Sequence, residues 1–168
     1  EHLVVIDVAM TETARLAHYV LPAASQFEKA EATFFNLEFP RNTFQLRHPL
    51  LEPLPGTLPE PEIYARLMRA LEVVPGEQLE PLRAAAREGR AQYAQAFGEA
   101  IGANPQLGGL AAWVIYETLG ETLPSQLRGA AALWGLAHRC AMTNPAGVRR
   151  AGHEDGEALF DAILSERS

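Results

Sequence analysis

Between Pro49 and Pro61 the chain carries five prolines, Pro49, Pro53, Pro55, Pro59 and Pro61, together with Gly56. Proline lacks the backbone N–H that a helix interior needs, and its ring collides with the preceding turn. That stretch is therefore expected to run as an extended connection. It divides the chain into an α/β part, residues 1–60, and a helical part, residues 61–168.

The α/β part begins with Leu3-Val4-Val5-Ile6, a continuous apolar run rich in β-branched residues. Such a run predicts a strand buried on both faces. Asp7 falls where this strand should end. Thr11 is a candidate N-cap, because its hydroxyl can accept from a free N–H of a first helical turn, and Glu12 suits the positive end of the helix dipole. Ala14, Leu16 and Ala17 can pack a short helix, and Tyr19-Val20-Leu21 reads as a second strand stopped by Pro22. The expected fold class is α/β, a partial Rossmann-like three-layer unit built on strand–helix–strand, followed by an α-helical region. In open parallel sheets ligands bind beyond the carboxyl ends of the strands, which puts Asp7 and Thr11 at the expected mouth. On residue type alone, Asp7 is equally a turn-former capping the next helix.

From Ser25 to Arg47 helical signals are few. Thr33, Phe34, Phe35, Phe39, Thr43 and Phe44 favour extended structure, and Asn36, Pro40 and Asn42 interrupt it. Helical character returns at Glu62, with Ile63, Leu67, Ala70 and Leu71 on one face and Pro75-Gly76 as the stop. Leu79 to Ile101 reads as a helix with Gly89 and Gly98 as weak points. Asn104-Pro105 is a break, and Leu110 to Leu119 is compatible with strand or helix. Gln126 to Met142 predicts a helix, followed by shorter ones over Ala146 to Ala151 and Glu157 to Leu164. The second half reads as a small bundle whose core includes Leu67, Leu71, Phe97 and Trp134. Trp113 is likewise a core candidate, and either tryptophan is suited to a partner surface.

The net charge of −7 and pI near 5.2 argue against a nucleic-acid partner, which needs clustered Lys and Arg. No apolar run approaches a bilayer-spanning length, so no membrane association is expected. The single cysteine, Cys140, rules out an internal disulfide framework or a cysteine-rich cluster site and fits a reducing compartment, hence a cytoplasmic location. It is read as a buried or inert thiol. His2, His18, His48, His138 and His153 show no metal-ligand spacing, and Thr118 to Thr122 reads as a loop rather than a phosphate cradle. No complete triad or acid/base pair is visible, so no catalytic residue and no metal ligand is assigned.

An ordered set of short matches adds a family resemblance. Val5-Ile6-Asp7, Thr11-Glu12-Thr13-Ala14 and Ala17-His18-Tyr19-Val20-Leu21-Pro22-Ala23-Ala24 resemble a segment of the molybdopterin oxidoreductases. More narrowly, they are similar to catalytic subunits of the dimethyl-sulfoxide-reductase superfamily, which includes formate dehydrogenases and nitrate reductases. The likeness continues through Phe27-Glu28-Lys29, Thr33-Phe34, Asn36-Leu37-Glu38, Arg41 and Gln45, and reaches Leu71 through Pro61 to Leu67. Departures include Ile6 where glutamine is common, His18 for aspartate, Ala32 for glycine, and an altered Gly-Arg pairing around Phe39-Pro40-Arg41. They point to a divergent subgroup.

The resemblance implies that Asp7 recognises the guanine of a molybdopterin guanine dinucleotide and that Thr11 lies at the same nucleotide. It implies Mo or W in the full-length protein, with no cofactor held by this piece alone. Glu28 and Thr33 match family positions less informatively. Glu1 and His2 lead straight into the strand with no initiator Met or targeting segment. The chain is therefore expected to be an internal piece of a longer oxidoreductase, inactive by itself. Its partners would be the rest of the same polypeptide, a nucleotide-binding half-domain before it and a β-barrel domain after it. The alternative is a non-catalytic α/β-plus-helical module for protein binding or scaffolding.

Overall fold

The computed structural model describes residues 1–33 and 43–165. The expectations placed on Phe34, Phe35, Phe39, Asn36, Pro40 and Asn42, and the matches at Leu37, Glu38 and Arg41, lie outside the described residues.

Strand β1 (Val4–Asp7), one-turn helix α1 (Glu12–Arg15) and strand β2 (Tyr19–Pro22) form the expected strand–helix–strand unit. The two strands are parallel, with Val4 opposite Tyr19 and Asp7 opposite Pro22. Leu58, from the proline-rich connection, adds a single parallel bridge to Ala23 just past β2. Strands β3 (Glu31–Thr33) and β4 (Gln45–Arg47) pair antiparallel as a separate sheet.

Burial of β1 on both faces does not hold within this chain. Val4 is 49% exposed, and Leu3, Val8, Met10 and Leu16 are exposed as well. The physical reason is local: β2 is its only strand neighbour among the described residues, and a four-residue helix covers little of either face.

The helical part starts earlier than expected. Helix α2 runs Glu60–Ala70 and takes Pro61 into its first turn, where a missing N–H costs nothing. The break at Gly89 is complete, with φ 142° separating α3 (Gly76–Glu88) from α4 (Arg90–Ala103), whereas Gly98 stays helical. After α5 (Gln106–Gly109), Leu110 to Leu119 resolves as helix α6 (Ala111–Glu117) and a 3-10 turn (Leu119–Thr122). Residues Ser125–Ala131 wind as a second 3-10 segment before helix α7 (Ala132–Thr143). Leu127 and Ala130 are both buried there, and a three-residue period sets them one above the other. Helices α8 (Pro145–Arg150) and α9 (Gly156–Ser165) close the chain.

The core lies among the helices, with Leu46 of β4 joining Tyr93, Val114, Trp134 and Phe160. Tyr93 stacks on Phe97 at 5.6 Å between ring centroids, and Trp134 meets both rings edge-on at 5.2 and 5.8 Å. Trp134 Nε1 donates to Glu157 at 3.0 Å, tying α7 to α9. The two helices can approach this closely because Gly156 has no side chain. A Cβ there would meet His138 Cα at 2.6 Å.

Leu67 and Leu71, expected in the core, are 43% and 73% exposed. Helix α2 buries Ile63 and Ala65 instead and meets α6 through charged side chains, which turns Tyr64, Leu67 and Leu71 outward. Cys140 is exposed, not a core thiol. Trp134→Ala should therefore cost about 3–5 kcal/mol, whereas Leu71→Ser should stay within about 0.5 kcal/mol of the parent. Urea titration of the two variants checks both; equal losses would place Trp134 outside the core.

Candidate functional site

Asp7 ends β1, and its carboxylate is held by its own neighbourhood. Oδ1 accepts the Ala9 N–H at 3.2 Å and Oδ2 accepts the Thr11 hydroxyl at 3.3 Å. Thr11 Oγ1 in turn accepts the Ala14 N–H at 3.2 Å, so Thr11 is the N-cap of α1, with Glu12 in the first turn as expected. The sequence-predicted pair is thus one hydrogen-bonded relay at the carboxyl end of a parallel strand. Thr11 has used its single proton on Asp7. Each Asp7 oxygen keeps one further lone-pair direction, and the residue is half-buried.

Other residues drawn in by the resemblance have local partners. Glu28 is buried and its Oε2 accepts the Ser25 N–H at 2.7 Å, the largest of the influences that hold its carboxyl below the usual range. Thr33 Oγ1 bonds the backbone of Gln45 across the β3–β4 ladder. Lys29 forms an ion pair with Glu60 at the start of α2. His18 lies at the other end of the strand unit from Asp7, where Nδ1 accepts the Leu3 N–H at 3.0 Å. The structure thus brings Asp7 and Thr11 together but leaves Glu28, Thr33 and His18 in separate structural roles.

A second polar cluster was not foreseen from the sequence. Glu117, on α6, has a side chain only 3% exposed. Arg69 Nη1 donates to its Oε1 at 2.6 Å, Arg83 Nη2 lies 3.8 Å from Oε2, and Arg128 Nη2 lies 3.9 Å from Oε1. Next to it Tyr116 donates its hydroxyl to Glu62 at 2.7 Å, while Arg66 and Arg69 donate to the other oxygen of Glu62 at 2.9 and 3.0 Å. The only sequence signal was a carboxylate following the apolar Trp113-Val114-Ile115-Tyr116 run.

Burial alone would raise the Glu62 carboxyl. Hydrogen bonds from Arg66 and Tyr116 and the Arg69 charge outweigh it and bring the group below its ordinary value. Burial first, and donation to Glu62 second, push the Tyr116 phenol up. At neutral pH the carboxylate is ionised and the phenol protonated, an arrangement that joins helices and is not poised to pass a proton. Among the described residues no group of three or more His, Cys, Asp or Glu is set to hold a metal ion. No helix there is long and apolar enough to cross a membrane.

No family model, curated protein or solved structure matches the chain.

Because the folded value of Glu62 lies below the unfolded one, its contribution to stability is present above about pH 4.3 and fades as pH falls through the folded value. Glu62→Gln should be less stable than the parent at pH 7, and the gap should narrow from about pH 5 to pH 3. Denaturant midpoints across that range test the sign; a constant gap would mean that the Glu62 charge does not stabilise the fold.

Proposed function

We propose that this chain is part of a molybdenum or tungsten oxidoreductase of the molybdopterin type, in which the β1–α1–β2 unit supplies half of a Rossmann-like dinucleotide-binding domain. The observation that carries the reading is the orientation of Asp7. A carboxylate at the end of a parallel strand, steadied by Ala9 and Thr11, keeps one acceptor direction on each oxygen. That donor set fits guanine, whose ring N–H and exocyclic amine are two adjacent donors.

In this reading Asp7 and Thr11 hold the nucleotide of a molybdopterin guanine dinucleotide, Asp7 as acceptor and Thr11 by fixing the carboxylate. The cofactor, when bound, supplies the redox and oxygen-transfer chemistry at its metal, and the protein contributes position and environment. The exposed apolar residues around β1, with Val8 60% and Met10 59% exposed, support an opposing half-domain from the same polypeptide. Among the described residues β1 pairs with β2 alone, and its other edge is a natural place for the sheet to continue. A reducing, cytoplasmic setting belongs to the same reading.

A second reading, a non-catalytic binding module, is favoured by the outward stripe of Tyr64, Leu67 and Leu71 on α2, spaced along one helix face. The reading frame around the encoding segment separates the two. Flanking cofactor-domain sequence supports the oxidoreductase, and a short closed frame supports the module.

The isolated chain should show no turnover with reduced viologen and formate, nitrate or an S-oxide, since it holds one side of the nucleotide cleft. Activity above a heat-killed control would overturn that. In the intact enzyme Asp7→Asn replaces one acceptor by a donor facing guanine and should lower cofactor affinity by about tenfold to a hundredfold, the effect of about 1–3 kcal/mol for an unpaired buried group. Nucleotide and metal content should fall together while activity per metal stays at the parent value. Full cofactor loading in Asp7→Asn would reduce Asp7 to a turn residue.

A further inference from the structure

A cavity of about 730 Å³ lies between the proline-rich connection and the helical part, away from Asp7 and Thr11, neither of which lines it. Its lining includes Pro49, Leu50, Leu51 and Pro53 of the connection and Tyr116 and Arg128 of the helical part. Leu50 and Leu51 are 68% and 61% exposed. The Arg128 guanidinium lies over the Tyr116 ring, 4.6 Å from its centroid.

Arg128 differs from the other arginines of the Glu117 cluster. Arg69 hydrogen-bonds the Glu117 carboxylate and Arg83 its carbonyl, while Arg83 and Arg128 approach the carboxylate only to 3.8 and 3.9 Å. The Arg128 Nε is buried without a hydrogen-bond partner, and its Nη2 pairs with Glu117 only at 3.9 Å. A guanidinium is planar, and its N–H groups form a fork that pairs bidentately with a carboxylate or phosphate. Cavities lined by apolar side chains with a few placed polar groups are the usual form of small-molecule sites.

The remaining charges select between those anions. Lys29 is committed to Glu60, and Glu62 to Arg66, Arg69 and Tyr116. Glu28 and Glu52 also line the cavity. With Arg128 paired only loosely to Glu117 and several carboxylates in the lining, a dianion is disfavoured relative to a monoanion. The exposed Leu50 and Leu51 and the prolines of the lining ask for an apolar body on that anion.

We propose that this cavity binds a small organic monocarboxylate, its carboxylate on Arg128 and its apolar body between Tyr116 and the Leu50–Leu51 wall. The inference is independent of the cofactor reading, because it uses no residue of the Asp7 end.

The test is an amide-shift titration of the full chain with benzoate, benzamide and inorganic phosphate. Benzoate should saturate shifts at Leu50, Leu51 and Ser125 to Gly129. Benzamide, of the same shape without charge, and phosphate should bind at least about tenfold more weakly. Arg128→Gln should weaken benzoate by about tenfold or more, because it removes the charged fork. Leu51→Glu, which adds a repulsive carboxylate on an exposed position, should do the same with an unchanged thermal midpoint. Should Arg128→Gln fail to fold, the Leu51→Glu result decides. Benzamide equal to benzoate, phosphate tighter than benzoate, unchanged affinity in a folded variant, or no saturation by benzoate below about 10 mM would each overturn the proposal.

Discussion

A carboxylate withdrawn from water has to be neutralised where it sits, and much of the helical part is arranged around doing so for Glu117. Three arginines from three elements turn toward it: Arg69 from α2, Arg83 from α3 and Arg128 from the 3-10 segment before α7. Removing a partner from such a buried charge is costly, while the intact cluster adds little net stability over an apolar replacement. Its effect is on geometry. The cluster links α2 and α3 to α6 by charge, while Leu79, Leu82 and Ala86 of α3 share the apolar core with Val114 and Ile115 of α6.

Two features of the surface follow. Helix α2 turns Glu62 and Arg69 inward, so the residues on its other side, Tyr64, Leu67 and Leu71, face out although they are among its most apolar. Arg69 takes the near position on the Glu117 carboxylate, Arg83 and Arg128 stand off at 3.8 and 3.9 Å, and Arg128 keeps its Nε without a partner. An unsatisfied guanidinium beside a cavity is thus a consequence of how the buried carboxylate is satisfied.

What was legible in the sequence is what depends on near neighbours. Asp7, Thr11 and Ala14 are three or four residues apart, so the cap and the strand-end turn can be read directly. Proline acts on its own residue, so the break at Asn104-Pro105 was readable; Leu79 to Ile101 read as one helix in which Gly89 and Gly98 were equal weak points, and only Gly89 breaks it. The buried face of α2 was not, because its partners Tyr116 and Glu117 lie 54 and 48 residues away from Glu62 and Arg69. Periodicity alone favoured Leu67 and Leu71, and a charged interface overrode it. The strand run from Leu3 to Ile6 shows the same limit: its residue types were read correctly as strand, but their burial depends on neighbours that the run does not specify.

The two ends of the molecule are consequently built on different principles. Leu46 of β4 is 2% exposed within the helical core, so the β3–β4 hairpin is anchored to the helices. The β1–α1–β2 unit is tied in by lighter means, the Ala23–Leu58 bridge and the Lys29–Glu60 pair just beyond it. At its mouth Val8 and Met10 remain exposed beside Asp7. The hydrogen bonds that orient Asp7 are local and persist whatever packs around them, while the apolar surface beside them is not satisfied by anything in the described chain. Under the proposed oxidoreductase reading, a carboxylate so oriented, at the edge of a half-covered sheet, would meet a ligand whose other contacts come from an opposing wall.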